Sequence, residues 1–575
     1  MSGQPVKQCT MSLSPALAEA TKAWIAQDPD PLTQSQMLEL MAAAQDDASA
    51  LAELQDAFSS PLEFGTAGLR GKLGAGPNRM NRVVVMQAAA GLAHYLADQG
   101  LMGSSVVIGY DARFNSVVFA HDSADILAAA GFKPIVFDHF VPTPVLAFAI
   151  RDQECCAGIM VTASHNPPQD NGYKVYLGDG RQIVPPADKE ISARIRQVLD
   201  VTQIPRVRDF TVVSADVEAR YIASLAVPIH MGPTTSEQRG DVVSVYTAMH
   251  GVGWETIREA CVATDFKEPI AVIEQRDPDP RFPTVAFPNP EEKGALDLAI
   301  AAANVHHADV LLANDPDADR LAVALPIGEG DWKTLHGDQV GALLAWWVIE
   351  RARRAGQELR GAFASSIVSS MLMEQIARAA QLDYVATLTG FKWVSRVDDL
   401  IFGYEEALGY CVNPKYVGDK DGVSAATFVL EMMAALKDEG RTPWDVLDEL
   451  AIQFGLHTSD QVSVRVNSVA QVSDVMGRLR KNNITQFGSF EISEFRDLAI
   501  ATPDLPATDG VTFILAGRQD ISRARVIVRP SGTEPKIKCY LEVVCNSNDL
   551  DGARASSRIA LDELASAVQP LLSSD

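Results

Sequence analysis

Ala157-Gly158-Ile159-Met160-Val161-Thr162-Ala163-Ser164-His165-Asn166-Pro167-Pro168 runs from an apolar segment into an abrupt loop. Residues 157–161 read as a short buried strand. Asn166-Pro167-Pro168 stops it, because proline cannot donate to a ladder and restricts the residue before it. Ser164 therefore stands just past a strand end, beside His165 and ten residues before Lys174. Loops at strand ends are where α/β proteins place their chemistry. An ordinary serine-rich turn is the plain alternative for an isolated serine. Other loops of the chain decide against it.

Outward from this loop, strand-like and helical runs alternate. Val106–Gly109 and Pro134–Phe137 read as strands around a helix at Phe119–Ala130. Before them, Leu17–Ile25 and Gln36–Phe58 have helical composition. Further strands are expected at Val242–Thr247, Ile270–Ile273 and Val310–Ala313, then at Ala362–Ile367, Tyr384–Thr387 and Leu400–Tyr404. The end of the chain differs. Gln461–Val466, Val511–Leu515, Arg525–Val528 and Ile537–Val544 read as strands, closed by an amphipathic helix at Leu550–Leu572. The expected division is three α/β domains, 1–205, 206–328 and 329–455, and an α+β domain, 456–575.

The 575 residues suffice for about three or four domains. A net charge of −25 disfavours nonspecific binding to nucleic acid or anionic lipid. Seven scattered cysteines without a CxxC pair suggest neither a zinc site nor a disulfide framework. No signal peptide is visible, and the longest apolar run, Ala342–Ile349, is too short to span a membrane. A cytoplasmic location is expected.

Asn314-Asp315-Pro316-Asp317-Ala318-Asp319-Arg320 places three carboxylates at alternate positions, which point one way in an extended segment. Together they need a cation, and hard oxygen ligands suit Mg²⁺ or Ca²⁺. An EF-hand would need Gly and Glu where Arg320 and Pro326 stand. A solvated acidic turn is disfavoured by the apolar strands on either side, whereas Asp277-Pro278-Asp279-Pro280 has that character. Arg529-Pro530-Ser531-Gly532-Thr533-Glu534-Pro535-Lys536 combines hydroxyls, a glycine turn and cations suited to a phosphate oxyanion. Gly403-Tyr404-Glu405-Glu406-Ala407-Leu408-Gly409 offers adjacent acids for sugar hydroxyls, or a solvent-facing turn. Thr389-Gly390-Phe391-Lys392 and Asp419-Lys420-Asp421-Gly422 add two lysines for an anionic ligand.

These loops, in this order, resemble the α-D-phosphohexomutase superfamily of phosphoglucomutases and phosphomannomutases over nearly the whole chain. Phe64-Gly65-Thr66-Ala67-Gly68-Leu69-Arg70-Gly71 also looks like the family's N-terminal active-site segment. Gly172-Tyr173-Lys174-Val175-Tyr176 and Glu405-Glu406-Ala407-Leu408-Gly409-Tyr410 look most like its longer phosphoglucomutase and phosphopentomutase branch. The resemblance implies four domains around a central cleft, three of them similar α/β domains with mixed sheets.

It also implies Ser164 as a phosphoserine, with one Mg²⁺ on Asp315, Asp317, Asp319 and a phosphoserine oxygen. Lys174 would be the general acid or base, and Arg70, His165 and Arg320 would stabilise charge. Gly390, Phe391, Lys392, Glu405 and Glu406 would hold the sugar; Lys420, Arg529, Ser531, Gly532 and Thr533 would hold its phosphate. The implied reaction interconverts glucose 1-phosphate and glucose 6-phosphate through a hexose bisphosphate, with mannose and pentose phosphates as alternatives. A non-catalytic phosphosugar binder and a metal-dependent phosphohydrolase are the rivals from other classes. Ala407 departs from the pattern, since many relatives carry serine there. His250 either shapes the same cleft or is structural.

Overall fold

The structure is a computed structural model that describes residues 13–65, 68–466, 469–481, 484–530 and 536–573. It opens with three helices, Pro15–Gln27, Pro31–Ala43 and Ala48–Ala57. The single helical run expected at Gln36–Phe58 is two helices, because Asp47 caps the second by accepting from Ser49 N. Trp24, Met37, Leu51 and Leu54 pack with Val83, Met86 and Ala89 of helix Arg82–Asp98.

Three sheets then repeat one arrangement. In the first, Lys133–Val136, Ser105–Tyr110 and Ala157–Val161 lie side by side and parallel, and Asp170–Leu177 returns antiparallel beside the last. The second uses Ile270–Ala271, Ser244–Thr247, Val310–Asn314 and the antiparallel Leu321–Pro326. The third uses Asp383–Thr387, Ala362–Ser366, Leu400–Glu405 and the antiparallel Gly409–Cys411. Parallel neighbours require crossovers, which helices such as Ser116–Ala129, Trp254–Ala263 and Leu372–Ala379 supply. The antiparallel return needs only a short loop. In the three sheets that loop carries, respectively, Ser164, the 315–319 carboxylates and Glu406. Each contains a non-glycine residue in the left-handed region: Ser164 (φ 52°), Ala318 (φ 55°) and Leu408 (φ 62°). Edge strands Thr211–Val212 and Trp332–Thr334 extend the first and second sheets past residues 205 and 328.

The C-terminal sheet is antiparallel, with Leu456–Arg465, Lys536–Cys545, Ile521–Pro530, Val511–Arg518, Phe490–Asp497 and Gln486–Phe487 in that order. Helix Leu550–Leu572 covers it, burying Ala560, Leu561, Leu564 and Val568. Helix Val469–Lys481 and strand Phe490–Asp497 were not legible in the sequence pattern. One continuous apolar core runs through the first three sheets, from Val107 to Leu450, while the last sheet has its own around Val475, Phe513 and Leu541. Among the described residues, no helix is long and apolar enough to cross a membrane.

Candidate active site

The Ser164 loop is tied down from both sides. Thr162 Oγ1 accepts from Ser164 N (2.9 Å) and donates to Asp111 Oδ2 (2.6 Å). Arg113 is buried beneath, and its guanidinium donates to four carbonyls: Ser164 (2.6 Å), Asn166 (2.5 Å), Pro167 (2.8 Å) and Asp170 (3.0 Å). A planar fork of donors suits this task better than an ammonium. Phe282, from the second sheet's side, lies over that guanidinium at 5.0 Å. Arg70 reaches Asn166 Oδ1 (3.1 Å), so the segment at 69–72 also grips the loop. Gly68 allows that approach, because at φ 79° a Cβ there would lie 1.9 Å from Tyr173 O.

Ser164 is buried and donates its hydroxyl to Asp315 Oδ2 at 2.5 Å. Oxygens of Asp315, Asp317 and Asp319 come within 4.8 Å of one another, and all three residues are buried. Lys174 Nζ donates to Asp317 (2.7 Å) and Asp319 (3.0 Å), Lys420 Nζ stands 3.2 Å from Asp319, and Thr143 donates to Asp317 (2.6 Å). Burial pushes the Asp315 carboxyl well up, and Asp317 and Asp319 add to this. Burial raises the Asp317 carboxyl too, but Lys174 outweighs it and the net shift is downward. Burial likewise opposes charge on Lys174, yet its two aspartates raise it overall, so Lys174 stands as a cation. Asp317 Oδ1 and Asp319 Oδ1 are buried without any hydrogen-bond partner. Unpartnered carboxylate oxygens are costly unless a cation takes them up. The donor set is all hard oxygen, and it fits Mg²⁺.

Arg320 joins the second loop to the third. Its backbone N donates to Asp315 Oδ1 (3.0 Å), its guanidinium donates to Ala407 O, and Leu321 N donates to Leu408 O (3.0 Å). Glu405 accepts from Gly390 N (2.6 Å). Glu406 accepts from the Ser366 and Ser369 hydroxyls at 3.1 and 3.0 Å, so it is no solvent-facing turn residue. Burial, with Glu405 and Asp338 nearby, pushes its carboxyl up to about 7. Burial also pulls the Lys392 ammonium down to about 8, against the pull of Asp188 and Glu405. On the last sheet Arg529 pairs in register with Lys538. Two cations directly opposite each other repel, an arrangement that an anion between them would relieve.

Residues 61–201 match the phosphoglucomutase/phosphomannomutase alpha/beta/alpha domain I, 219–328 domain II, 336–454 domain III and 494–554 the C-terminal domain. The chain belongs to this family. Phosphomutases of this family are isomerases that move a phosphoryl group within one molecule. A probable phosphomannomutase of Haemophilus influenzae is 46% identical, covering 80% of this chain and 93% of that protein. The phosphopentomutase of Mus musculus is 36% identical over 97% of this chain and 95% of its own length. Among solved structures, a putative phosphomannomutase from Thermus thermophilus shares the fold, with a TM-score of 0.65 at 23% identity, covering 88% of this chain and 99% of that one.

In this phosphomutase the structure brings together Ser164, His165, Lys174, Arg320 and the three aspartates. His165 Nδ1 lies 3.3 Å from Ser164 Oγ, and burial beside Arg320 and Arg70 holds its ring well below the usual histidine range. Lys420 contacts Asp319 and Asp419 and lies over the Phe391 ring. Ser531, Gly532 and Thr533 lie outside the described residues. His250 is structural: its ring contacts Thr284 (2.8 Å) and its backbone bonds Gln275 and Asp279. Sequence reasoning missed Arg113, Thr143, Ser366 and Ser369. Only Asp111-x-Arg113, directly after a strand, carried a local signal for any of them.

Proposed function

We propose that the protein is a phosphosugar mutase whose first substrate pair is glucose 1-phosphate and glucose 6-phosphate. The observation that carries this reading is the Ser164 hydroxyl, 2.5 Å from Asp315, within a buried triad that keeps two carboxylate oxygens unpartnered. A pure binder would need neither a buried nucleophile nor a cation site beside it.

In this reading Ser164 carries a phosphoryl group at rest. The P–Oγ bond breaks as a P–O bond to a free sugar hydroxyl forms, giving a bisphosphate, while the hydroxyl's proton passes to Oγ by way of Asp315. The bisphosphate turns over and returns its other phosphoryl group to Ser164, releasing the isomeric monophosphate. Asp315 is placed to accept the serine proton in that return step. Mg²⁺ on Asp315, Asp317 and Asp319 would offset the phosphoryl charge and polarise phosphorus. Lys174 supplies a proton and positive charge at the same place. Glu405 and Glu406 hold sugar hydroxyls, and Arg529 anchors the phosphate that is not reacting. The low exposure of Ser164 supports exclusion of water from the phosphoenzyme, which separates a mutase from a phosphohydrolase. We place the enzyme in the cytoplasm, with a hexose bisphosphate as its activator.

A pentose phosphate is the second reading. It is favoured by the near full-length similarity to a phosphopentomutase and by Ala407, which leaves no hydroxyl beside the sugar acids. Comparing kcat/KM for glucose, mannose and ribose 1-phosphates decides between them. Ser164→Ala should lower turnover at least about a thousandfold while phosphosugar binding survives. Intact mass should show one phosphate on the wild-type chain. Full activity in Ser164→Ala would end the mutase reading.

A further inference from the structure

The two outer sides of the site, sugar loop and phosphate hairpin, belong to different sheets, and one short segment touches both. That segment is Ser366–Met371, which follows strand Ala362–Ser366. On one side, the Ser369 hydroxyl donates to Glu406 Oε2 (3.0 Å) and accepts from Glu406 N (3.2 Å). On the other, the Ser369 carbonyl accepts from Arg525 Nη2 (2.6 Å), and the Ile367 carbonyl accepts from Arg525 Nη1 (3.1 Å). Arg525 precedes Arg529 by four residues on one strand, so the two side chains share a face.

The neighbouring strand continues the pattern in register. Arg525 faces Glu542, Ile527 faces Tyr540, and Arg529 faces Lys538. The first pair is a buried ion pair at 2.7 Å. The middle pair packs on Val368 in a small apolar cluster. The last pair is the two cations at the site. Glu542 also accepts from Ser370 Oγ (2.6 Å), Met371 N (2.9 Å) and His457 (3.0 Å). Asp338 completes the grip, accepting from Ser370 N (2.8 Å), Tyr404 OH (2.9 Å) and Ser459 Oγ (2.7 Å).

The apolar part of this junction is small, whereas the first three sheets share a continuous core. Position across the junction therefore depends on directional polar contacts, which tolerate little displacement. We infer that Arg525, held by Glu542 and acting through Ser369, sets the distance between the phosphate-anchoring Arg529 and the sugar acids Glu405 and Glu406, and so selects phosphosugars by length. Arg525 and Ser369 are thus positioning residues that touch no substrate. A pentose phosphate is one carbon shorter than its hexose counterpart, so a fixed span between phosphate and hydroxyl contacts discriminates between them. The inference rests on the mutase reading for the identity of the ligands and for the roles of Arg529, Glu405 and Glu406.

The test is Arg525→Lys, which keeps the charge beside Glu542 but loses the fork to two carbonyls. Its kcat/KM for glucose 1-phosphate and ribose 1-phosphate is compared with wild type, alongside Ser369→Ala and the double variant. The preference shown by wild type should fall about tenfold in Arg525→Lys, and the two substitutions should be non-additive in that ratio. A merely structural role would lower both rates together, leave the ratio within about twofold and add in the cycle, which would overturn the inference. Should wild type turn over neither substrate, nor mannose 1-phosphate, the mutase reading fails. Calorimetric affinities for glucose 6-phosphate and ribose 5-phosphate then carry the test, with the same shift in ratio expected in Arg525→Lys. Equal ratios in the two proteins, or no binding of either ligand, would overturn the inference.

Discussion

Lys392, which we propose as a ligand contact, has its ionisation brought close to neutral pH. Burial brings it down to about 8, because removal from water disfavours the ammonium. Below that pH it is a cation able to face a phosphate; above it the charge is lost. If ionised Lys392 binds the ligand, KM should rise roughly tenfold between about pH 7 and pH 9, following the single ionisation. Lys392→Arg, which stays ionised throughout, should flatten that rise. A KM profile unchanged by the substitution would remove Lys392 from ligand binding. Ser164 and the three aspartates were visible in the sequence because each sits in a loop with unusual local composition, whereas Lys174, on strand Asp170–Leu177, was reached through the family resemblance. Arg113 was not, because its partners are carbonyls more than fifty residues away, and backbone acceptors have no sequence signature.

At the scale of elements, the metal loop is held against the start of helix Gly422–Asp438. Asp421 caps that helix by accepting from Val423 N and Ser424 N (both 3.0 Å). Gly422 sits so close to the metal loop that a Cβ would lie 2.4 Å from Arg320 O, 2.5 Å from Asn314 Nδ2 and 2.8 Å from Ala318 O. Alanine in a helix is otherwise favourable relative to glycine, so the sign of Gly422→Ala is informative. The clash with backbone should win and cost ~1–3 kcal/mol, read as a lower denaturant midpoint. The same variant should need more Mg²⁺ for half-maximal activity. Unchanged stability and Mg²⁺ requirement would show that the loop yields without consequence. Strands with compact apolar runs, such as Val310–Asn314, were read within a residue or two of their ends. Phe490–Asp497 was not, because its exposed face carries Glu491, Glu494 and Arg496 and hides the alternation.

For the whole molecule, contacts between successive sheets matter more than any one of them. Thr143 bonds Asp317 through both its backbone and its hydroxyl, Arg320 reaches Ala407, and Tyr176 donates to Asp419 (2.8 Å). On the outer surface His139 spans Asp138 (2.7 Å) and Glu218 (2.9 Å), fastening the first sheet's loop to helix Asp216–His230. Glu218, and Asp138 after it, raise this histidine from 6.5 to about 9 against partial burial. A raised folded value means stabilisation that is complete below about 6.5 and lost as pH climbs through about 9. His139 is half exposed, so the effect is small and screened by salt. Wild type should exceed His139→Gln in Tm near neutrality, with the gap closing above about pH 9. A gap that stays constant over that range would show packing, not charge, at this junction.

The sequence by itself determined the α/β alternation, the α+β character of the last region, and the residue types of the Ser164, carboxylate and Glu405-Glu406 loops. Those are local properties: apolar runs, turn residues and carboxylate spacing leave their mark within about ten positions. Tertiary structure alone decided that the three loops occupy the same place in three sheets with one strand order, and so meet at one site. It also set Lys420 beside the Asp319 carboxylate and turned Glu406 inward onto Ser366 and Ser369. The reason is physical. Hydrogen bonds and ion pairs across 50 to 170 residues of chain depend on how sheets stack, and no spacing along the sequence encodes that geometry.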